Sequence, residues 1–507
     1  MKIRIFMTAT FLSFFLYGIA QTDKEMDSFI NKLMSRMTLE EKIGQLNLPV
    51  SKSFIAGESK PGEMSPLEQR IAKGEVGGLF GMKGAKQIRE KQQIAVEKSR
   101  LGIPLLFGLD VIHGYETTFP IPLALSSSWN MEMIEREARA SAAEASIDGI
   151  NWVFSPMVDI CRDARWGRIA EGAGEDPYLG AEVAKALVRG YQGMSNDFSV
   201  ENTVMACVKH YALYGAAEAG RDYNTVDMSR QRMMNEYMLP YKAACEQGAG
   251  SYMASFNEFE GIPATANKYL LDEILRKQWG FKGFIVTDYT GIPEMTSHGL
   301  GDLQTVSARA LDAGIDMDMV SEGFTRTLKL SLSEGKITQE QIDLACRRVL
   351  EAKYKLGLFK DPYKFCKEER ASKELFSNQN RALSKEIADE CIILLKNDNN
   401  LLPLKKSGRI AVIGPLADAA SDMVGCWSLT GKADRSVSLY QGLKAALGPN
   451  GTVSYAKGSN LVADSLLEAK LNGMMGFVIP GMPVKKVHDR KPEDLLKEAL
   501  ELAKNSD

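Results

Sequence analysis

Seven short apolar segments recur between about residues 75 and 320, each followed by a stretch of helical periodicity. This alternation constrains the fold more than any other feature of the 507-residue chain. The segments are VGGLFG from Val76, PLLFGLD from Pro104, WVFSPMVD from Trp152, VMACVKHY from Val204, SYMASFN from Ser251, GFIVTDY from Gly283 and GIDMDMV from Gly314. Helices are predicted between them over about 131–147, 181–194, 231–246 and 269–279. A strand buried on both faces reads as a continuous apolar run, so the pattern predicts a parallel sheet of the α/β class. Seven or eight βα units in succession favour a closed (β/α)8 barrel of the TIM type, with an open doubly wound sheet as the alternative.

Polar residues close these segments: Asp110, Asp159, Lys209 with His210, Asn257, Asp288, and Asp316 or Asp318. In a (β/α) barrel the C-terminal strand ends surround one mouth, and the chemistry sits there. Asp159 or Asp318 can equally cap a helix or satisfy loop amides.

A helix over 338–359 should complete the barrel. Thr338 and Gln341 form a capping box, Ile342, Ala345, Val349, Ala352 and Leu356 share one face, and Gly357 ends it. The barrel domain is therefore placed at 21–360, a linker at 361–374, and a second α/β unit at 375–507. In the second unit a long helix over about 375–396 leads to a strand RIAVIG from Arg409, and another strand is expected over 452–456. The last helix, 492–504, aligns Leu495, Leu496, Ala499 and Leu502. A crossover helix with an apolar stripe ordinarily delivers the chain to a further strand that covers it. None follows, so the second unit is expected to be an incomplete α/β sandwich with that stripe uncovered.

The net charge of -3 and the lack of any Lys/Arg block exclude a nucleic-acid partner. Lys2 and Arg4 precede an apolar run to Ile19, and Gly18-Ile19-Ala20 is read as a cleavage site, so residues 1–20 are expected to be a signal peptide. No later run approaches the ~20 residues of a membrane span, so no membrane association is expected after cleavage, and a periplasmic or secreted location follows. Seven Cys without a C-x-x-C pair argue against a metal knuckle, and four His make a zinc triad implausible. No metal and no cofactor are expected.

Four motifs in order, VFSPMVDICRDARWGRIAEGAGEDPYLG, VKHYALYG, DYNTVDMS and GFIVTDYTGI, resemble family 3 glycoside hydrolases, most like the bacterial periplasmic β-glucosidase branch. The resemblance runs from about residue 25 onward. It implies a barrel followed by an α/β sandwich, and a retaining exo-acting β-glucosidase whose partner is a β-glucoside oligosaccharide or an aryl glucoside. Retention needs two carboxyl groups ~5 to 5.5 Å apart, one attacking the anomeric carbon and one serving as acid and then base. Asp288 matches the family nucleophile, and a strand end suits that part because it fixes a carboxylate rigidly. Tyr289 beside it offers an aromatic wall to a sugar face. Asp110, Arg168, Lys209 and His210 match residues that hold the hydroxyls of the terminal sugar, and Met253 and Phe256 match positions lining the pocket. Many members carry Tyr where Phe256 stands, so a hydroxyl that could bond the nucleophile is lost. Glu175 and Asp176 read as loop bracing, and His113 and His298 match no role.

In two-domain members the acid/base glutamate follows a strand beyond the helix matching 492–504, and no such residue is found in these 507. The single-domain N-acetylglucosaminidase branch uses a histidine shortly after the Lys-His motif, but no His occurs between His210 and His298. Two other readings stay open: a non-catalytic glycan-binding remnant, and a Schiff-base aldolase acting through Lys209. Glucose against xylose selectivity and oligomeric state are not legible.

Overall fold

The computed structural model describes residues 24–51, 64–194, 197–462, 464, 467 and 490–507. The expected signal peptide lies outside the described residues. The chain divides into two compact units: one runs to Ile392 and includes Cys426–Leu429, and the other comprises Ile393–Gly425 and Thr430–Asp507. The contact boundary therefore falls well after the predicted linker. The segment 361–374 carries a helix, Glu368–Glu374, and the next helix, Asn378–Glu390, belongs to the first unit. The reason is local to the barrel. Glu144 accepts from Phe376 N and Asn380 Nδ2, and Ser384 Oγ donates to Thr118 O, so the segment is bonded into the first unit.

Eight parallel strands form the first unit: β1 Asn47–Leu48, β2 Gly78–Phe80, β3 Leu106–Leu109, β4 Trp152–Val153, β5 Met205–Tyr211, β6 Ser251–Ala254, β7 Phe284–Thr287 and β8 Asp318–Met319. Neighbours pair in order from β2 to β7. Bridges Val286↔Met317 and Val50↔Phe80, with β1 against β8, close the ring. The open-sheet alternative is thereby set aside. The strand absent from the sequence reading is β1, two residues in QLNLPV, where Leu46, Leu48 and Val50 alternate with other residues over a stretch cut short by the preceding helix and by Pro49.

Side-chain alternation divides each strand between two layers. Leu106, Trp152, Met205, Cys207, Phe284 and Val286 fill the interior, while Phe107, Val153, Ala206, Val208 and Ile285 pack outward against the helices. Gly108 takes an inward position because a Cβ there would stand 2.6 Å from the Phe154 ring and 3.0 Å from Trp152. The closing helix, Gln339–Lys355, starts at the Thr338–Gln341 capping box, and its stripe Ile342, Ala345, Val349, Ala352 is buried.

In the second unit β9 Gly408–Ile413 and β10 Gly451–Ala456 pair in parallel along their whole length. The helix Leu439–Leu447 connects them, and the helix Pro492–Lys504 lies against β10. Its stripe is partly covered, contrary to expectation: Leu495 and Ala499 are buried, whereas Leu496 is exposed. Among the described residues no helix is long and apolar enough to cross a membrane. All seven cysteines are free thiols.

Candidate active site

The alternation that fills the barrel also aims its polar ends. Asp288 lies two residues beyond Val286, Lys209 two beyond Cys207, and Asp110 two beyond Gly108, so each continues an inward register past the last layer of the core. Thr290, at φ 56°, then turns the chain into the helix Gly291–Ser297. That helix receives no side-chain cap, and Asp288 is therefore not spent on capping it. Oδ1 of Asp288 accepts from Tyr289 N at 2.7 Å, while Oδ2 is buried with no hydrogen-bond partner. Desolvation pushes the carboxyl up to about 6, against the downward pull of Arg168 and Lys209.

The resemblance-derived residues converge on this carboxylate. His210 Nε2 is 3.7 Å from Asp288 Oδ2 and 2.9 Å from Arg168 Nη2. Arg168 makes a bidentate pair with Glu171 at 2.7 and 2.9 Å. Burial alone would raise Glu171, but the guanidinium outweighs it and holds the carboxyl below its ordinary range. Lys209 Nζ donates to Asp110 Oδ1 at 2.7 Å, with both side chains nearly buried. That pairing occupies the amine a Schiff base would need. The site thus combines one carboxylate with a free buried oxygen, an ion pair, and a cation bonded to an imidazole, which together offer donors and acceptors to a neutral polyhydroxyl ligand.

Met253 is buried in the interior with Trp152 and Phe284, beneath the mouth. Phe256 belongs to a separate apolar cluster with Met157, Trp166 and Tyr214, and Tyr223 lies over it with ring centroids 4.4 Å apart. Tyr289 sets its ring edge-on to Phe80 at 6.0 Å. Of the other polar strand ends, Asp159 joins the site through His210, whose Nδ1 is 2.9 Å from Oδ2. Asp318 accepts from Phe324 N in the first turn of the helix Gly323–Ser333, and Asp316 receives Arg276 and Arg348 at the level of Ile285. Asp176 caps the helix Pro177–Gln192. His298 pairs with Glu258 at 2.6 Å, and His113 lies between the carbonyls of Phe119 and Cys426.

Three residues escaped sequence reasoning. Glu171 was legible in principle, because it follows Arg168 at i+3. Tyr241, which donates to Asp159, sits mid-helix with nothing in its surroundings to mark it. Trp427 is far away in sequence, yet its segment groups with the barrel and its ring lies 5.8 Å from the Arg168 guanidinium.

The family model described as the glycosyl hydrolase family 3 N-terminal domain matches residues 38–352, and that of the C-terminal domain matches 392–507. The chain belongs to glycosyl hydrolase family 3. A periplasmic beta-glucosidase of Salmonella typhimurium is 41% identical over 96% of this family 3 chain and 62% of its own length. A beta-xylosidase of Formosa agariphila is 33% identical over 90% of the chain and 61% of its own. The beta-glucosidase of Listeria innocua solved with isofagomine superimposes with a TM-score of 0.79 at 35% identity, covering 89% of this chain and 62% of that one. The same enzyme in mutant form, bound to laminaribiose, gives 0.80. The chain therefore spans a little over 60% of the length of these relatives.

Proposed function

We propose that this chain carries the glycosylating half of a retaining exo-β-glucosidase, with Asp288 as the nucleophile that bonds the anomeric carbon. The observation that carries the reading is the Oδ2 of Asp288, buried and without a partner at the centre of Arg168, Lys209 and His210. A carboxylate oxygen left free in a ring of hydroxyl-binding groups is poised for a ligand atom. Asp110, Lys209 and Arg168 hold the terminal sugar, His210 contributes by holding Arg168, and Met253, Phe256 and Tyr289 shape the walls. The likeness to beta-glucosidases supports glucosides as the substrate class, and laminaribiose bound by one of them supports a β-linked disaccharide.

The acid/base group comes from outside the described barrel residues. Asp110 is taken up by Lys209, Asp159 by His210 and Tyr241, and Glu171 by Arg168, so none of the three is free to protonate a leaving oxygen. An activated aryl β-glucoside needs no acid, so Asp288 is glycosylated in a burst, and hydrolysis of the intermediate then lags by ~10²- to 10⁴-fold because none of these three carboxyls is free to activate water. Mass spectrometry of the stalled protein should find one hexose on the peptide containing Asp288, released by azide. Steady turnover of cellobiose at the rate of an intact glucosidase would overturn this account. No adduct on any residue would favour a glycan-binding role instead.

The relatedness to a beta-xylosidase favours one second reading, in which an aryl β-xyloside forms the adduct faster than the glucoside. The name of the Salmonella relative supports a periplasmic location, reached through cleavage after Ala20. N-terminal sequencing of exported protein tests it.

A further inference from the structure

His210 is wholly buried, and every polar atom it offers is engaged. Its backbone N–H is 2.8 Å and its Nδ1 2.9 Å from the same oxygen, Asp159 Oδ2. Its Nε2 is 2.9 Å from Arg168 Nη2. The guanidinium can only donate, so Nε2 must be the acceptor and the ring hydrogen must sit on Nδ1, where Asp159 takes it. The reverse tautomer would set two donors against each other at Arg168 and two acceptors at Asp159. Behind Asp159, Tyr241 Oη lies 2.5 Å from Oδ1 and 2.8 Å from His210 O.

We propose that Asp159 is a positioning residue for the nucleophile: by accepting both N–H groups of His210 it keeps Nε2 bare, and that lone pair holds Arg168 beside Asp288. The inference rests on reading Asp288 as the nucleophile. Nε2 is only 3.7 Å from Asp288 Oδ2, so the guanidinium and the attacking carboxylate meet across one nitrogen. The charged and titratable groups facing the imidazole are Asp159, Arg168, Lys209, Asp288, Tyr241 and Tyr214, and Glu171 holds Arg168 from its far side. Burial, then Arg168 and Lys209, keep His210 well below its ordinary range, which agrees with a neutral ring. Arg168 is the strongest of the groups that pull the Asp288 carboxyl down, so displacing it would leave less of the nucleophile ionised.

Asparagine can take over the whole pattern. Its carbonyl would accept both N–H groups of His210, its amide would donate to Tyr241 Oη, and the tyrosine hydrogen would go to His210 O. Alanine can take over none of it.

Nitrogen-15 NMR of the full chain, labelled in its four histidines, reads the ring hydrogens without any turnover. Wild type should show one histidine that keeps a single ring hydrogen, on Nδ1, from about pH 5 to about pH 8. Tyr241→Phe should leave that signal in place, Asp159→Asn should preserve it, and Asp159→Ala should lose it. Single-turnover glycosylation from an aryl β-glucoside should fall by about tenfold or more in Asp159→Ala and by much less in Asp159→Asn. A wild-type ring hydrogen on Nε2 would overturn the proposal even if the alanine variant did not fold, as would equal losses in the two variants. Failure of wild type to glycosylate at all would instead sink the assignment of Asp288, leaving the tautomer result standing.

Discussion

The two units are built from the same kind of element and solve burial differently. In the barrel each parallel strand has a neighbour on both sides, because β1 pairs with β8 and bridges to β2, and the ring has no open edge. Its interior excludes water well enough to hold Trp152, Phe284 and Met319 almost without exposure. The second unit has one strand pair among the described residues. Its Leu395 is 91% and its Ile413 44% exposed. Apolar sequence is therefore not by itself a core: the runs RIAVIG and GFIVTD are similar in composition, and only the second is enclosed. It also explains where ionisable groups are perturbed. Glu137, Asp159 and Asp288 are shifted by burial in the first unit, whereas Arg409 and Asp507 in the second unit respond chiefly to each other at the surface.

The largest expected effect is chemical and confined to the barrel. Asp288→Asn should reduce covalent glycosylation by about 10⁴-fold or more, since an amide cannot form the glycosyl ester that the proposed role of Asp288 requires. The barrel's thermal transition should hold or rise, because a desolvated carboxylate is removed. Asp110→Ala should instead weaken sugar binding by ~1.5 to 3 kcal/mol through loss of charge-assisted hydrogen bonds. Wild-type rates in Asp288→Asn would refute the nucleophile role.

Next comes packing. Trp152→Ala should cost ~3 to 5 kcal/mol in denaturant unfolding, because the surrounding ring cannot collapse into the hole. Val412→Ala, at the most buried position of β9, should cost only about 1 to 2 kcal/mol. Similar costs at the two sites would show that the second unit is as tightly enclosed as the first.

A smaller effect depends on pH. Glu137 lies behind the barrel with Oε2 unpartnered, and burial raises its carboxyl to about 8, against which the Ser141 hydroxyl pulls. The folded state therefore keeps a proton that the unfolded state has released. Stability falls as pH rises from the ordinary carboxylate range to about 8 and is level beyond it. Glu137→Gln mimics the protonated form, so it should raise stability by about 2 to 4 kcal/mol above that window and change nothing at acid pH. Unfolding midpoints at the two extremes check it, and an equal gain at both would refute the assignment. Smallest of all, Arg409→Ala breaks the exposed pair with Asp507 and should leave the melting temperature of the second unit where it was.

The parallel barrel and the order of its motifs could be read from the chain because both are written in local patterns: apolar runs of strand length, helical spacing, capping residues and a carboxylate at a strand end. Asp288, Lys209 and Asp110 could be placed at strand ends for the same reason, each closing an apolar run, while the roles expected of them came from the family resemblance. Three things were decided only by tertiary structure. β1 is a strand because β8 and β2 lie either side of it, and a two-residue segment has no period of its own. The helix Asn378–Glu390 belongs to the first unit because Glu144, more than two hundred residues away, bonds to it. The bonding of the His210 ring depends on Asp159 and Arg168, whose separations from it in sequence carry no period. Closure, long-range hydrogen bonds and the state of a buried ring are settled by which groups meet after burial, when each donor must find an acceptor that only the fold supplies.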